Sequence, residues 1–141
     1  MSRYDATQSN ESKRSAKIYR DLDLDFEANS ATKDIQKMLD VESVKRSVRN
    51  LINLNHYDKP FHPEIGSNLR GMLFENITPQ MSHAITKEID LLIRNYEPRA
   101  RLVQVSTMPN FDRNAYAATI SFYVQNAPDR ITVESFLERL R

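Results

Sequence analysis

The hexapeptide Arg94-Asn95-Tyr96-Glu97-Pro98-Arg99 divides the chain into a helical part before it and a strand-like part after it. Proline has no N–H to donate to a helix, and its ring disfavours helical geometry in the residue that precedes it. The helix that arrives from the N-terminal side is therefore expected to end near Tyr96. The fold must be built from separate elements on either side of this proline.

Glu97 and Arg99 flank the proline. In extended backbone, side chains two positions apart share one side, so the carboxylate and the guanidinium are expected to face the same way. The spacing permits two interpretations. The segment is either a helix stop with two solvated charges, which contribute about 0–1 kcal/mol when exposed, or a stiff turn that meets a partner charged at two points.

Three helices are predicted ahead of this segment. Asp40 is expected to cap the first and Ser67 the second, which should stop at Thr78. Thr78 and Pro79 are expected to open the longest helix, because proline is tolerated in the first turn. The apolar positions with helical spacing are Val41, Val44, Val48, Leu51 and Ile52 in the first helix, Leu69, Met72, Leu73 and Ile77 in the second, and Met81, Ile85, Ile89 and Leu92 in the third.

Strand patterns dominate the sequence after the proline. A short strand is predicted over Leu102 to Val105, followed by a turn at Pro109 to Asp112. Residues Tyr116 to Gln125 alternate and form the clearest strand pattern in the chain. A last strand begins at Ile131, and its end, Phe136 to Arg141, fits either a strand or a helical turn. The expected fold class is α+β, with central helices followed by a small, mainly antiparallel sheet.

An acidic strand is predicted near the N-terminus, because the sequence alternates strictly from Ile18. A calcium loop explains its aspartates poorly, since the glycine and the terminal glutamate of an EF-hand are missing. Acidic side chains that discourage edge-to-edge pairing explain them better. Residues Ala28 to Lys37 are expected to form a loop. One side of the strand would carry Leu22, Leu24 and Phe26, and the other Tyr19, Asp21, Asp23, Asp25 and Glu27.

The composition excludes several classes of protein. A chain of 141 residues suits one domain with one core. It has no cysteine, and therefore neither a disulfide nor a thiolate metal site. No run approaches the roughly 20 apolar residues of a membrane span, and a net charge of +1 provides no global field toward nucleic acid. The expected organisation is a flexible polar leader over residues 1–16 and a single domain over residues 17–141.

The loop from Asn55 to Gly66 holds two of the three histidines and is the first place to search for chemistry. His56 and His62 lie in a proline-broken segment, and their spacing matches neither a helical zinc-protease motif nor a cysteine-assisted structural site. Gly66 and Gly71 imitate a phosphate loop, but apolar residues follow where lysine and serine or threonine are required. No metal or cofactor is expected.

Matches to one family are spread along the chain in a single order. They are Ile18 to Phe26, Lys45-Arg46-Ser47-Val48-Arg49-Asn50-Leu51, Pro60-Phe61-His62-Pro63, Gly66-Ser67-Asn68-Leu69-Arg70-Gly71, Leu73-Phe74-Glu75, Arg94 to Arg99 and Phe136-Leu137-Glu138-Arg139. Together these segments resemble the small baseplate wedge subunit, or sheath initiator, of contractile phage tails. Its relatives include a type VI secretion baseplate component, and some relatives carry a baseplate lysozyme label.

The resemblance implies a structural protein and not an enzyme. Members of that family resemble a reduced sheath domain, start the sheath by offering a strand edge, and join the wedge core through a Glu-Pro-Arg turn. Glu97, Pro98 and Arg99 would then be the partner-binding residues. The implied partners are the other baseplate wedge subunits and the tail sheath protein, with tail tube or hub proteins as further candidates, and neither nucleic acid nor membrane. The implied location is the virion tail baseplate, with the host cytoplasm during assembly.

Two other functions stay open. A lysozyme-like glycoside hydrolase needs two carboxylates about 5–10 Å apart across the scissile bond, and Glu75 and Glu97 are candidates by residue type alone. A nucleic-acid-binding module would use Lys45, Arg46 and Arg49 on the first helix, although such charges equally fit a solvated helix face.

Two mutational expectations accompany the structural interpretation. If Glu97 and Arg99 are surface groups, replacing both with alanine should change the free energy of unfolding by no more than about 0.5 kcal/mol while removing wedge docking. The strand over residues 114–126, or its neighbour after Arg130, should accept a strand of the sheath. Val133→Pro should then impair sheath initiation more than folding.

The polar leader generates the first testable prediction. Residues 1–16 have hardly any large apolar side chain to offset the entropy of ordering, so the leader should be cleaved early by a protease and leave a stable remainder. Limited proteolysis of the purified chain followed by mass spectrometry measures this. A leader that resists cleavage as long as the rest of the chain would contradict it.

Overall fold

The computed structural model describes residues 19–23, 26–125 and 127–139. It is an α+β fold in which the helices precede a three-stranded antiparallel sheet, as predicted. The N-terminal leader lies outside the described residues. The elements are β1 (Arg20–Leu22), β2 (Lys37–Leu39), α1 (Asp40–Asn53), α2 (Leu69–Met72), α3 (Pro79–Tyr96), β3 (Ala100–Asn110), β4 (Ala115–Val124) and β5 (Ile131–Glu138).

Helix α3 has the boundaries that the sequence predicts. The hydroxyl of Thr78 accepts a hydrogen bond from the N–H of Met81 at 3.1 Å, and Pro79 occupies the first turn. The helix ends at Tyr96, two residues before Pro98. Its C-terminal end therefore delivers the chain directly to the segment that precedes β3.

Helices α1 and α2 begin differently from the prediction. Leu39 is the N-cap residue of α1, and the Asp40 carboxylate instead accepts the N–H of Tyr19 at 3.0 Å, because the start of the β1 segment lies beside it. Helix α2 spans only four residues. Its N-cap residue is Asn68, while the hydroxyl of Ser67 accepts the N–H of Leu69 at 3.4 Å. A tight turn follows Gly71, which interrupts the helix that was expected to reach Thr78.

The sheet has the order β3-β4-β5 with antiparallel neighbours. Strand β4 is the central strand, and β3 and β5 are the edges. Strand β3 is longer than predicted, since it continues through Pro109 to Asn110. An edge strand tolerates proline because one side of its ladder needs no donor. The register shifts between Leu102 and Gln104, which marks a bulge in β3.

The core lies between the sheet and helices α1 and α3. The predicted alternation of β4 is confirmed, since one side of that strand is buried throughout. The hydroxyl of buried Tyr116 accepts the N–H of Thr78 at 3.3 Å, which ties the start of α3 to the sheet. The fully buried apolar side chains are Val44, Val48, Ile85, Ile89, Ile93, Tyr116, Ile120 and Phe122, each at 0% exposure.

The N-terminal strand has the opposite orientation to the one expected. Strand β1 covers three residues and pairs with β2, which lies in the segment that was expected to be a loop or to border it. Leu22 and Phe26 are 56% and 67% exposed, whereas Asp23 is 7% exposed. Asp21 and Asp23 face the rest of the domain, where Arg99 and Arg46 form ion pairs with them, whereas Glu27 is exposed.

None of the helices in the described part of the chain is long and apolar enough to cross a membrane.

Candidate functional site

Glu97 is a buried carboxylate, with 2% of its surface exposed. Arg99 holds it with two parallel hydrogen bonds, from Nε to Oε1 at 2.6 Å and from Nη2 to Oε2 at 2.8 Å. The backbone N–H of Glu97 donates to the carbonyl of Ile93 at 2.9 Å and so completes the last turn of α3. The two side chains do face the same way, but they bind each other. The expectation that both are surface groups is therefore wrong.

The other side of the Arg99 guanidinium contacts β1 and α1. Nη1 donates to Oδ2 of Asp21 at 3.2 Å and to the hydroxyl of Ser43 at 3.4 Å. Ser43 donates in turn to the same Asp21 oxygen. The guanidinium carbon lies 5.5 Å from the centre of the Tyr19 ring, within the range of a cation–π contact. Arg99 thus joins three segments that are far apart in the sequence.

The electrostatics of this pair favour both charged forms. Burial alone would raise the pKa of Glu97, but hydrogen bonds from Arg99 and Ser47 and the charge of Arg99 outweigh burial and lower that pKa. The hydrogen bond to Glu97 raises the pKa of Arg99 further above its ordinary value. Glu97 and Arg99 are therefore both charged at neutral pH.

Part of the Glu97-Pro98-Arg99 segment still reaches the surface. Pro98 is exposed, and the Arg99 side chain is 26% exposed. A cleft of about 560 Å³ on one side has Arg99, Leu51 and Ile65 among its lining residues. A second cleft, of about 600 Å³, is lined by both Pro98 and Arg99 together with Tyr123. Arg99 borders both clefts and Pro98 borders the second, and we call this exposed part of the segment the ridge.

The basic residues of α1 have different environments. Lys45 pairs with Glu42 at 2.7 Å, and Arg46 lies 3.4 Å from Asp23. Arg49 is exposed. Since two of the three cations have carboxylate partners in the protein, they do not form the unneutralised stripe that would track a phosphate backbone.

The histidines do not converge in the structure. His62 contacts Glu64 at 3.1 Å in an exposed loop, and His83 is exposed on α3. Within the described residues, no group of three or more histidine, aspartate or glutamate side chains is placed to hold a metal ion.

The outer edge of β5 is a second candidate site, which the strand pattern indicated only in part. The N–H of Arg139 donates to the carbonyl of Asn114 at 3.0 Å, and this pair continues the register of β4 with β5. Hydrogen-bonded and non-hydrogen-bonded pairs alternate in an antiparallel ladder. The backbone N–H and C=O of Val133 therefore point toward β4, while those of the residues next to it in sequence point away from the sheet. The outward-directed residues of β5 are Thr132, Glu134, Phe136 and Glu138, and their side chains are also exposed.

This geometry corrects two expectations about the sheet. Strand β4 is paired on both sides and has no free edge, so the strand over residues 114–126 cannot accept another strand. Val133→Pro would remove a donor inside the ladder and disturb a side chain that is only 3% exposed. That substitution would damage folding first. Alternate positions on β5 are the correct ones for a test.

Comparison with known proteins identifies the family. The family described as "Baseplate wedge protein gp25" matches residues 39–129. The baseplate wedge protein gp25 of Enterobacteria phage T4 is 34% identical over 115 residues, which cover 82% of this chain and 86% of that protein. The chain belongs to the gp25 family of baseplate wedge proteins.

Solved structures agree with membership of the gp25 family. A chain of the anti-feeding prophage baseplate has a TM-score of 0.69 and 25% identity, covering 81% of this chain and 91% of that one. A putative tail lysozyme from Geobacter sulfurreducens has a TM-score of 0.65 and 18% identity, with 71% and 91% covered. A chain of the type VI secretion baseplate complex has a TM-score of 0.51 and 14% identity, with 68% and 92% covered. The last two share the fold.

The structural interpretation of this gp25 family member is confirmed by these relatives, and the hydrolase alternative is not supported. A glycosidase acid needs a raised pKa, whereas that of Glu97 is lowered by Arg99. The lysozyme label belongs to a structure with 18% identity and so bears on the fold alone.

The buried ion pair generates a prediction about stability. Arg99→Ala leaves the Glu97 carboxylate buried without its main partner, so the free energy of unfolding should fall by about 3–5 kcal/mol. Urea denaturation at neutral pH measures the change. Arg94→Ala is the matched control, because Arg94 makes an exposed pair with Asp90 on α3 and should cost little.

A pH series gives the same prediction a second readout. Because the pKa of Glu97 is lowered in the folded state from its ordinary value of 4.5, its charge stabilises the fold fully above that value. This stabilisation is lost as the pH falls through the lowered pKa. Glu97→Gln should therefore lose less stability on acidification than the wild type. Equal acid sensitivity of the two proteins would contradict the assignment.

Proposed function

We propose that this protein docks on the wedge core of a contractile tail baseplate through Glu97, Pro98 and Arg99, and that it starts the tail sheath by accepting a sheath strand at the outer edge of β5. The observation that carries the proposal is the row of outward-directed backbone groups on β5 in a gp25 family member. The tail sheath protein and the other wedge subunits are the proposed partners. Tail tube and hub proteins are further candidates, and assembly takes place in the host cytoplasm.

Strand addition suits this edge for a physical reason. The N–H and C=O groups of four alternate residues on β5 have no partner strand in the described part of the chain. An incoming strand would satisfy all of them with main-chain hydrogen bonds, which depend little on its sequence. One folded subunit can then begin a repeating structure without changing its own backbone.

The opposite edge of the sheet is less suitable for strand addition. Strand β3 contains a bulge after Leu102 and a proline at position 109, and both features interrupt a regular ladder. Bulges and prolines are devices that keep edge strands from pairing. The difference between the two edges favours addition on the β5 side only.

In the proposed wedge contact, the three residues have different tasks. Glu97 is buried and holds the Arg99 guanidinium in place, so it acts on a partner indirectly. Pro98 is exposed, and its ring fixes the backbone conformation between Glu97 and Arg99. A partner that contacts this ridge would meet Pro98 and the exposed part of Arg99 and would fill the two clefts that Arg99 lines.

Strand addition predicts a difference between two substitutions at Glu134, whose side chain is exposed. Glu134→Pro removes an outward N–H and places a ring against the incoming strand, while Glu134→Ala keeps the N–H. We expect both variants to melt within a few degrees of the wild type and only the proline variant to lose sheath formation. Electron microscopy of tails assembled with each variant measures this. Normal sheaths on Glu134→Pro baseplates would refute strand addition at β5.

Wedge docking predicts the behaviour of Pro98→Asp. Aspartate is well tolerated in turns, so the melting temperature should stay close to that of the wild type. A charge that becomes buried against a partner without a counter-ion is costly, so co-purification with the other wedge subunits should fall at least about tenfold. Gln80→Asp on the exposed first turn of α3 adds the same charge and should not affect co-purification. Undiminished co-purification of Pro98→Asp would show that the ridge is only a helix stop.

A further inference from the structure

The outer edge of β5 carries a charge pattern in addition to its backbone groups. The residues whose N–H groups point outward also direct their side chains to the exposed face of the sheet, in the order Thr132, Glu134, Phe136 and Glu138. Phe136 is 56% exposed. Two carboxylates therefore flank an exposed aromatic ring on the strand that borders the free edge.

The two carboxylates have no ion-pair partner among the described residues. Glu134 lies beside Thr119 and Glu138 beside Ala115 on β4, and neither neighbour carries a charge. Arg113 is the nearby cation from the β3–β4 turn, and its guanidinium carbon lies 5.7 Å from the centre of the Phe136 ring. The Arg139 side chain donates a hydrogen bond to the Asn76 side chain and does not pair with either glutamate. The exposed face of β5 is therefore acidic on both sides of Phe136.

The opposite face of β5 has a different character. Val133 and Leu137 are 3% and 6% exposed and belong to the core. Residues that face each other across two paired strands lie on the same side of the sheet. A strand added at this edge would bring its alternate side chains next to Val133, the half-buried Ser135 and Leu137 on one face, and next to the Glu-Phe-Glu row on the other.

We propose that β5 selects an incoming strand that carries a lysine or arginine opposite each of Glu134 and Glu138, an apolar residue opposite Phe136, and apolar residues on its inward face. This inference rests on the proposed strand addition and adds the chemistry of the partner. The pattern is symmetric about Phe136, so it fits a parallel or an antiparallel strand equally. Opposite charges directly across a ladder stabilise strand pairing, and like charges destabilise it. The backbone groups of β5 could pair with strands of many sequences, and the two glutamates would favour strands with positive charges at the facing positions.

The test uses the purified full chain and two short synthetic peptides with valine at every position of one face. The other face carries lysine, leucine and lysine in the first peptide, and glutamate, leucine and glutamate in the second. Fluorescence anisotropy measures their binding. We expect the wild type to prefer the lysine peptide about tenfold, since two cross-strand charge pairs change sign between the peptides. The preference should shrink as salt is added.

Variants of β5 distinguish the contribution of the glutamate side chains to peptide binding from that of the outward backbone groups. Glu134→Lys with Glu138→Lys should invert the preference, while Glu27→Lys with Glu64→Lys makes the same change in net charge at exposed sites elsewhere and should not invert it. Glu134→Pro should bind neither peptide. Equal binding of both peptides to the wild type, abolished by Glu134→Pro, would overturn the charge pattern and leave strand addition standing. Binding of neither peptide to the wild type, or binding unaffected by Glu134→Pro, would overturn both.

Discussion

The ion pair between Glu97 and Arg99 is the interaction on which the arrangement of the domain depends. A carboxylate that is 2% exposed is tolerated only because a guanidinium meets both of its oxygens. The same guanidinium then reaches Asp21 on β1 and Ser43 on α1. The end of α3, the short N-terminal strand and the start of α1 are therefore held by one side chain. The proline between the two partners presets their spacing before the tertiary contacts form.

The helices and the main sheet were predictable because their signals are local. The Thr78-Pro79 start, the stop before Pro98 and the alternation of β4 each depend on residues that are close in the sequence. The orientation of β1 was not predictable in this way. Alternation shows that Asp21 and Asp23 lie on the same face of the strand. That this face is turned inward depends on ion pairs with Arg99 and Arg46, which are distant in the sequence. The usual rule that apolar side chains point inward fails here because two partly buried cations pair with these carboxylates.

The same limit applies to the two candidate surfaces. The sequence predicted correctly that the helix ends before the Glu-Pro-Arg segment, yet the exposure of the three residues differs and cannot be obtained from their spacing. The strand pattern also left open which strand is the free edge. That choice depends on strand order, which places β4 between β3 and β5. Once the order is known, one hydrogen bond from Arg139 to Asn114 determines which backbone groups of β5 point outward.

The continuity between the ridge and the sheet has a mechanical consequence. Strand β3 begins at Ala100, immediately after Arg99, and the three strands run beside one another from there to β5. A force applied along β5 would act in shear on the backbone hydrogen bonds between β4 and β5. These hydrogen bonds would share the force and would not break one after another. The load would then pass through β4 to β3 and from there along the covalent backbone to Pro98. A subunit built in this way transmits tension between its two proposed contacts without routing it through the helices.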